Sequence, residues 1–196
     1  FADSLKDAVA AAFDWDRELL EGRSKQSREW RETVDQWWAK RLNMPHLTPR
    51  WVLQYWGTDV VRKTFHNNMW IASLEHKLAN TKDDIVITDC RFPNELKAIK
   101  TMGGEVLRVK RGPEPEWYNS AVQYNKGPKQ NFSWAISRSK LEELGVHASE
   151  YSWVGQKFDA TMTNDHTLDD LYDQVEEFLS VNSPELDRLE SNQVLL

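Results

Sequence analysis

The chain has 196 residues, and 40% of them are hydrophobic, enough for one sizeable core or two small ones. A net charge of −6 and a pI near 5.4 exclude the broadly basic surface of a general nucleic-acid or membrane-surface binder, so any bound phosphate must meet a local basic cluster. A lone cysteine, Cys90, excludes an internal disulfide, the five histidines show no zinc-ligand spacing with it, and no run approaches the ~20 apolar residues of a membrane span.

Residues 3–79 read as largely helical. Asp3 or Ser4 can cap a helix in which Leu5, Val9, Ala12 and Phe13 recur at helical spacing, ending near Trp15, and Gly22 then breaks the chain. An amphipathic helix is predicted from about Ser27 to Leu42, with Trp30, Val34, Trp37, Trp38 and Leu42 as its apolar stripe. Thr48 before Pro49 predicts an N-cap and first helical residue. Gly57 interrupts that helix, "TDVVRKTF" resumes as a shorter one, and "MWIASLEHKL" is another.

The pattern changes at Asp83. Ile85, Val86 and Ile87 form a continuous apolar run, which predicts a strand buried on both faces, as in parallel sheets. Asn94 is placed to cap the helix "ELKAIKTM", Gly103 to end it, and "EVLRVKR" is the next strand. Such a strand, helix, strand crossover is right-handed and parallel as a rule. Residues 112–157 break the rhythm around one helical patch, "SRSKLEELGV", and predict a mobile lid or functional insertion. "FDATMTND" supplies a third strand, and Thr167 with Asp170 reads as a capping box before the helix "LDDLYDQVEEFL". The expectation is a single domain over 1–181 and a flexible polar tail over 182–196, soluble and in reducing surroundings.

Ligands of open parallel sheets bind beyond the carboxyl ends of the strands, where loops converge and helix N-termini point inward. Asp89 and Arg91 fall at one such end, Lys110 and Arg111 at the next, Asn164 and Asp165 at the last. An Arg there offers a planar fork of donors for phosphate oxygens, and an Asp can orient it or hold metal-bound water. The plain alternative is a structural ion pair between strand ends. Cys90 reads as an inert buried thiol, while Trp37 and Trp38 serve either internal packing or a subunit contact, which leaves a homodimer open.

The stretches "TPRWVLQYWGTDVVRKTF", "MWIASL", "IVITDCRFPNELKAIKTMGGEVLRVKR", "HASE" and "TNDHTLDDLYDQV", with the opening "FADSLKDAVAAAFDWDRELLEG", resemble the bacteriophage-type deoxynucleoside monophosphate kinases. The resemblance covers most of residues 1–111 and 147–179. It implies an α/β fold, a three-layer P-loop kinase-like parallel sheet flanked by helices, with a helical acceptor-binding part over about residues 1–80 and an enlarged lid over about 112–157. It further implies phosphoryl transfer from ATP to a deoxynucleoside monophosphate, with Mg2+ between the phosphates, no nucleic-acid or membrane partner, and a cytoplasmic setting, that of an infected host cell for a phage protein.

By the same resemblance Arg50 and Arg62 hold the acceptor phosphate, Gln54 and Asp59 lie near its base or sugar, and Lys6 approaches the same pocket. Trp51, Trp56 and Trp70 flank that pocket, where a ring can stack on the base or exclude a ribose 2′-hydroxyl; the plainer role is core packing. Asp89 and Arg91 sit beside the reacting phosphates, and Arg111, His147 and Glu150 on the lid side; no protein residue is assigned to a metal. The phosphate loop GxxxxGK[ST] is absent from these 196 residues, and the family's first strand, central in the sheet, is missing with it. Phe1 in place of an initiator Met leads us to expect a preceding segment. The rival expectations are a catalytically silent nucleotide-binding or protein-interaction module that lost the ATP side, and a purely structural helical protein.

Overall fold

The computed structural model describes residues 1–81, 83–129 and 131–182, and the expected tail lies outside them apart from Asn182. These residues pack as two units, Phe1–Glu95 with His147–Trp153, and Leu96–Val146 with the chain from Val154 onward.

In the first unit α1 spans Ala2–Phe13, starting before either expected cap; Asp3 lies in its first turn, where a negative charge suits the helix dipole. Helix α2, Arg17–Glu21, is a short turn that the sequence pattern did not announce, capped by the Asp16 carboxylate and closed by Gly22 at φ 70°. The single helix expected over 27–42 is two, α3 (Lys25–Glu32) and α4 (Gln36–Leu42). Asp35 makes the break. Its carboxylate accepts from the Trp38 amide at 3.0 Å and the Trp15 indole at 2.8 Å, and its own N–H donates to the Leu47 carbonyl at 3.0 Å. Those remote partners outweigh the local helical pattern. Val9, Trp15, Leu20, Ala39, Leu47 and Val52 form the core of this unit, with Phe13 stacked on Trp15 at 4.5 Å and edge-on to Trp38 at 4.9 Å.

Helix α5 (Pro49–Gln54) begins as expected, with Thr48 Oγ1 accepting from the Trp51 amide. Gly57 does not interrupt it. The chain continues as a π-helix over Tyr55–Phe65, closed by His66 N–H to the Val61 carbonyl five residues back, at 2.9 Å. Gly57 serves a close approach instead, since a Cβ there would lie 2.7 Å from Leu5 Cδ2. Helix α6 is Met69–Leu78, tied to α1 by the Ser4–Ser73 hydroxyl pair at 2.7 Å.

The strand expected at 85–87 is not formed. Residues 84–87 belong to no helix or ladder, and Ile85 and Val86 are 46% and 86% exposed. Three apolar β-formers in a row specify a strand only where a neighbouring backbone accepts their hydrogen bonds, and none does among the described residues. The next helix, α7, runs Pro93–Thr101, its first turn in the first unit. Asn94 is not its cap. Glu95 reaches back to accept from the Arg91 and Phe92 amides at 2.8 and 3.0 Å, while the Asn94 amide donates to the Asn67 carbonyl and the Asn68 side chain.

The second unit holds a two-stranded parallel sheet, β1 (Leu107–Lys110) against β2 (Ala160–Thr163), with Leu107 opposite Ala160 and Lys110 opposite Thr163. Asp159 anchors it: the Val106 amide at 2.7 Å and Lys100 at 2.9 Å hold its carboxyl below the usual range. The stretch expected to carry one helix carries two here, α8 (Tyr118–Lys126) and α9 (Phe132–Glu143), with Tyr124 stacked on Trp134 at 5.2 Å. The short α10 (Ala148–Tyr151) belongs to the first unit. Helix α11 (Leu168–Asn182) opens with the expected capping exchange between Thr167 and Asp170. The chain is thus helix-rich with a small parallel two-stranded sheet, compatible with an α/β kinase-like fold. No described helix is long and apolar enough to cross a membrane.

Candidate functional site

The first unit encloses a cavity of about 710 Å3. Small-molecule sites usually fall at ~300–1,000 Å3. Several helices and the irregular segment before α7 build it. Helix α1 contributes Leu5 and Lys6, α5 contributes Arg50, Leu53 and Gln54, and the π-helix contributes Gly57, Thr58 and Arg62. Trp70 comes from α6, Asp89 and Arg91 from the segment before α7, and Glu150 from α10. Lys6, Arg50, Gln54, Arg62, Trp70, Asp89, Arg91 and Glu150, eight of the residues singled out from sequence, therefore share one wall.

Three do not line it. Asp59 and His147 face each other instead, His147 Nε2 lying 3.6 Å from the Asp59 carboxylate, and Arg111 is an exposed residue of the second unit. His147 is also the N-cap of α10, its Nδ1 accepting from the Ser149 amide, so the pair fixes the helix that carries Glu150. Of the tryptophans expected around the pocket only Trp70 lines it, its indole N–H donating to the Gly57 carbonyl at 3.0 Å. Trp56 packs against the core, edge-on to Phe13, and Trp51 stacks on Tyr55 at 5.0 Å.

The lining carries six basic side chains, Lys6, Arg23, Arg31, Arg50, Arg62 and Arg91, against five acidic ones, Asp3, Glu21, Asp89, Glu95 and Glu150. In a chain of net charge −6 that is a local reversal. The partners divide into two sets. Arg62 is 7% exposed and is committed to structure: its guanidinium pairs with the buried Glu95, donates to the Asn67 carbonyl and lies 4.0 Å over the Phe92 ring. Lys6 pairs with Glu21 at 2.8 Å. Burial alone would raise the Glu21 carboxyl, but hydrogen bonds from Lys6 and Arg17 and their charges bring it down to about 2. Asp89 accepts from the Ala2 amide and from the Phe1 nitrogen.

The other set is looser. Glu150 lies between two guanidinium groups, 2.8 Å from Arg91 Nη1 and 4.0 Å from Arg50 Nη2, all three side chains part-exposed; Arg50 also meets Glu32 at 3.0 Å. One carboxylate thus stands where two forks converge, a position an oxyanion with more acceptor oxygens can take over. Arg31 was not singled out from sequence. It lines the same cavity, and its Nε is buried without a hydrogen-bond partner among the described residues. Burial, then the charges of Arg50, Arg91 and Arg28, push its ionisation down from the usual arginine range. Nothing in "KQSREWRE" sets Arg31 apart from Arg28; both reach Gly22, Arg28 through the Gly22 carbonyl and Arg31 over its Cα, but only Arg31 lines the cavity. Cys90 is half-buried rather than buried, and its thiol is pushed up to about 12 by burial and by the Glu95 and Asp89 charges. No group of three His, Cys, Asp or Glu suited to a metal ion occurs among the described residues.

The family model for deoxynucleotide monophosphate kinase matches residues 17–120. A protein of Acanthamoeba polyphaga mimivirus bearing the deoxynucleotide monophosphate kinase name is 34% identical over 125 residues, 57% of this chain and 58% of its own length. The deoxynucleoside-5'-monophosphate kinase of Escherichia phage T5 is 41% identical over 63 residues, 32% of this chain and 22% of its own. The chain therefore spans little more than half of the first relative and under a quarter of the second. No solved structure matches it significantly. The family match takes in α2 to β1 and so most of the cavity wall, including Arg31, Arg50, Arg62 and Arg91; the chain belongs to the deoxynucleotide monophosphate kinase family.

Proposed function

We propose that this chain supplies the acceptor side of a kinase that moves the γ-phosphoryl group of ATP onto a deoxynucleoside monophosphate. An acceptor phosphate oxygen attacks the γ-phosphorus, the bond to the β–γ bridging oxygen breaks, and a deoxynucleoside diphosphate and ADP result. One observation carries the proposal: Arg50 and Arg91, from separate elements, converge on a single carboxylate inside a cavity of nucleotide size. Cations placed over spreading negative charge and in-line positioning are most of what phosphoryl transfer asks of a protein.

In this proposal the acceptor phosphate displaces Glu150 from Arg50 and Arg91, and Arg91 then also meets the charge that develops on transfer. Arg62 acts by position, holding Glu95, which in turn fixes the Arg91 amide. Gln54 and the Trp70 ring offer an amide and an apolar face to the sugar and base, with Lys6 behind them and Asp89 fixing the segment that carries Arg91. Asp59 and His147 support α10. Arg111, at the end of β1, is proposed for the transferring phosphates.

ATP and Mg2+ are part of the proposal, but the residues present do not fit them: the sequence holds no GxxxxGK[ST], and the described residues offer no metal-ligand group. The three-layer sheet belongs to the proposal as well. A second reading is a module that binds the nucleotide without transfer. Calorimetry with dAMP, dCMP, dGMP and dTMP, followed by an ATP–Mg2+ transfer assay, separates them. Binding with turnover, lost in Arg91→Ala at unchanged fold, supports the kinase; binding without turnover supports the module; no binding of any of the four overturns both.

A further inference from the structure

Among the described residues, Arg31 is the one cavity-lining guanidinium with a buried nitrogen left unmatched. Arg50, Arg62 and Arg91 each have a carboxylate partner, in Glu32 or Glu150, in Glu95, and in Glu150. Arg31 forms no ion pair among the described residues, and its Nε is enclosed without an acceptor. A buried polar group in that condition costs about 1–3 kcal/mol, and more when charged. A ligand acceptor reaching that nitrogen would remove the cost. Its position is also built: Gly22, at φ +70°, lies so close that a Cβ there would fall 2.1 Å from Arg31 Nη2 and 2.2 Å from Cζ. The missing side chain is the slot in which the guanidinium rests. The left-handed backbone closes α2, and the absent Cβ leaves room for the arginine.

We propose that Arg31 is a third phosphate-binding residue of the acceptor site, closing with Arg50 and Arg91 around the monophosphate and held in reach by Gly22. This rests on the acceptor-site reading above. A phosphate monoester dianion has three terminal oxygens, enough to engage three guanidinium forks, whereas the Glu150 carboxylate has two and meets only Arg50 and Arg91. Arg31 therefore distinguishes the ligand from the internal carboxylate: it has work only when a phosphate is present.

The test compares each of the four deoxynucleoside monophosphates with its parent deoxynucleoside, by calorimetry on the full chain. The ratio of the two dissociation constants measures the phosphate's share of binding. In Arg31→Gln that ratio is expected to shrink at least tenfold, with deoxynucleoside affinity unchanged, and Arg31→Lys is expected to fall between, since it keeps the charge and loses the fork. An unchanged ratio in a folded variant overturns the proposal while leaving the acceptor site standing, and so does an equal loss for nucleoside and nucleotide, which marks a structural role. If Arg31→Gln does not fold, Arg31→Lys decides by the same ratio. Wild-type protein that binds none of the monophosphates overturns the acceptor-site reading itself, and this assignment with it.

Discussion

Glu95 shows how much one side chain organises. It is 2% exposed, pairs with Arg62 through one oxygen and accepts the Arg91 and Phe92 amides through the other. Removing its charge leaves Arg62 buried and uncompensated, which in comparable pairs costs about 3–5 kcal/mol. Glu95→Gln is therefore expected to lower unfolding free energy by roughly that amount in urea titrations. A value within 0.5 kcal/mol of wild type, the scatter of ordinary surface substitutions, would show the pair to be dispensable. Neither Glu95 nor Arg31 stood out in the sequence. The significance of Glu95 depends on Arg62, 33 residues earlier, and that of Arg31 on the backbone angle of Gly22. Residue-type patterns carry neither relation. Arg50 was legible only because a family motif contains it, while Arg91 was also marked by its place at the end of an expected strand that is not formed.

At the scale of elements, α1 and α2 are joined by charge as much as by packing: Lys6 and Asp7 of α1 meet Glu21 and Arg17 of α2. The Glu21 carboxyl sits at about 2 in the fold against 4.5 for the free group. A depressed carboxyl stabilises the fold above the unfolded value and stops doing so as pH falls through the folded one. Stability is expected to drop by on the order of 2 kcal/mol between about pH 5 and pH 2 on this account, and Glu21→Gln should flatten that part of the pH profile. Helix α10 carries the second expectation. Glu150→Gln frees Arg50 and Arg91 from a competing charge, so deoxynucleoside monophosphates should bind about 1 kcal/mol more tightly by calorimetry. Weaker binding would mean that Glu150 orders the arginines rather than competing for them. Elements set by adjacent residues were readable: Thr48 with Pro49 starts α5, and Thr167 with Asp170 starts α11. Those decided at a distance were not. Asp35 splits a helix through Trp15 and Leu47, and residues 85–87 find no partner strand among the described residues.

For the molecule as a whole, each unit has buried apolar residues of its own, and the cavity belongs entirely to the first. A ligand at 100 times its dissociation constant stabilises the folded state by about 2.7 kcal/mol. Under the acceptor-site proposal a deoxynucleoside monophosphate at that level should raise the melting temperature by several degrees, and Arg50→Ala should remove most of the shift at the same concentration. A shift that survives in Arg50→Ala would move the phosphate away from α5. The π-helix sets a separate condition on what sequences this family member can tolerate. Its wider turns absorb more residues than an α-helix would over the same rise. Losing one residue between Tyr55 and Phe65 lets the coil tighten into ordinary α geometry, and each residue dropped rotates everything downstream by about 100°. Arg62 would swing off the wall however conservative the remaining letters. Substitutions at exposed positions such as Lys63 and Phe65 are thus affordable where a one-residue deletion is not, and the number of residues there is itself under constraint.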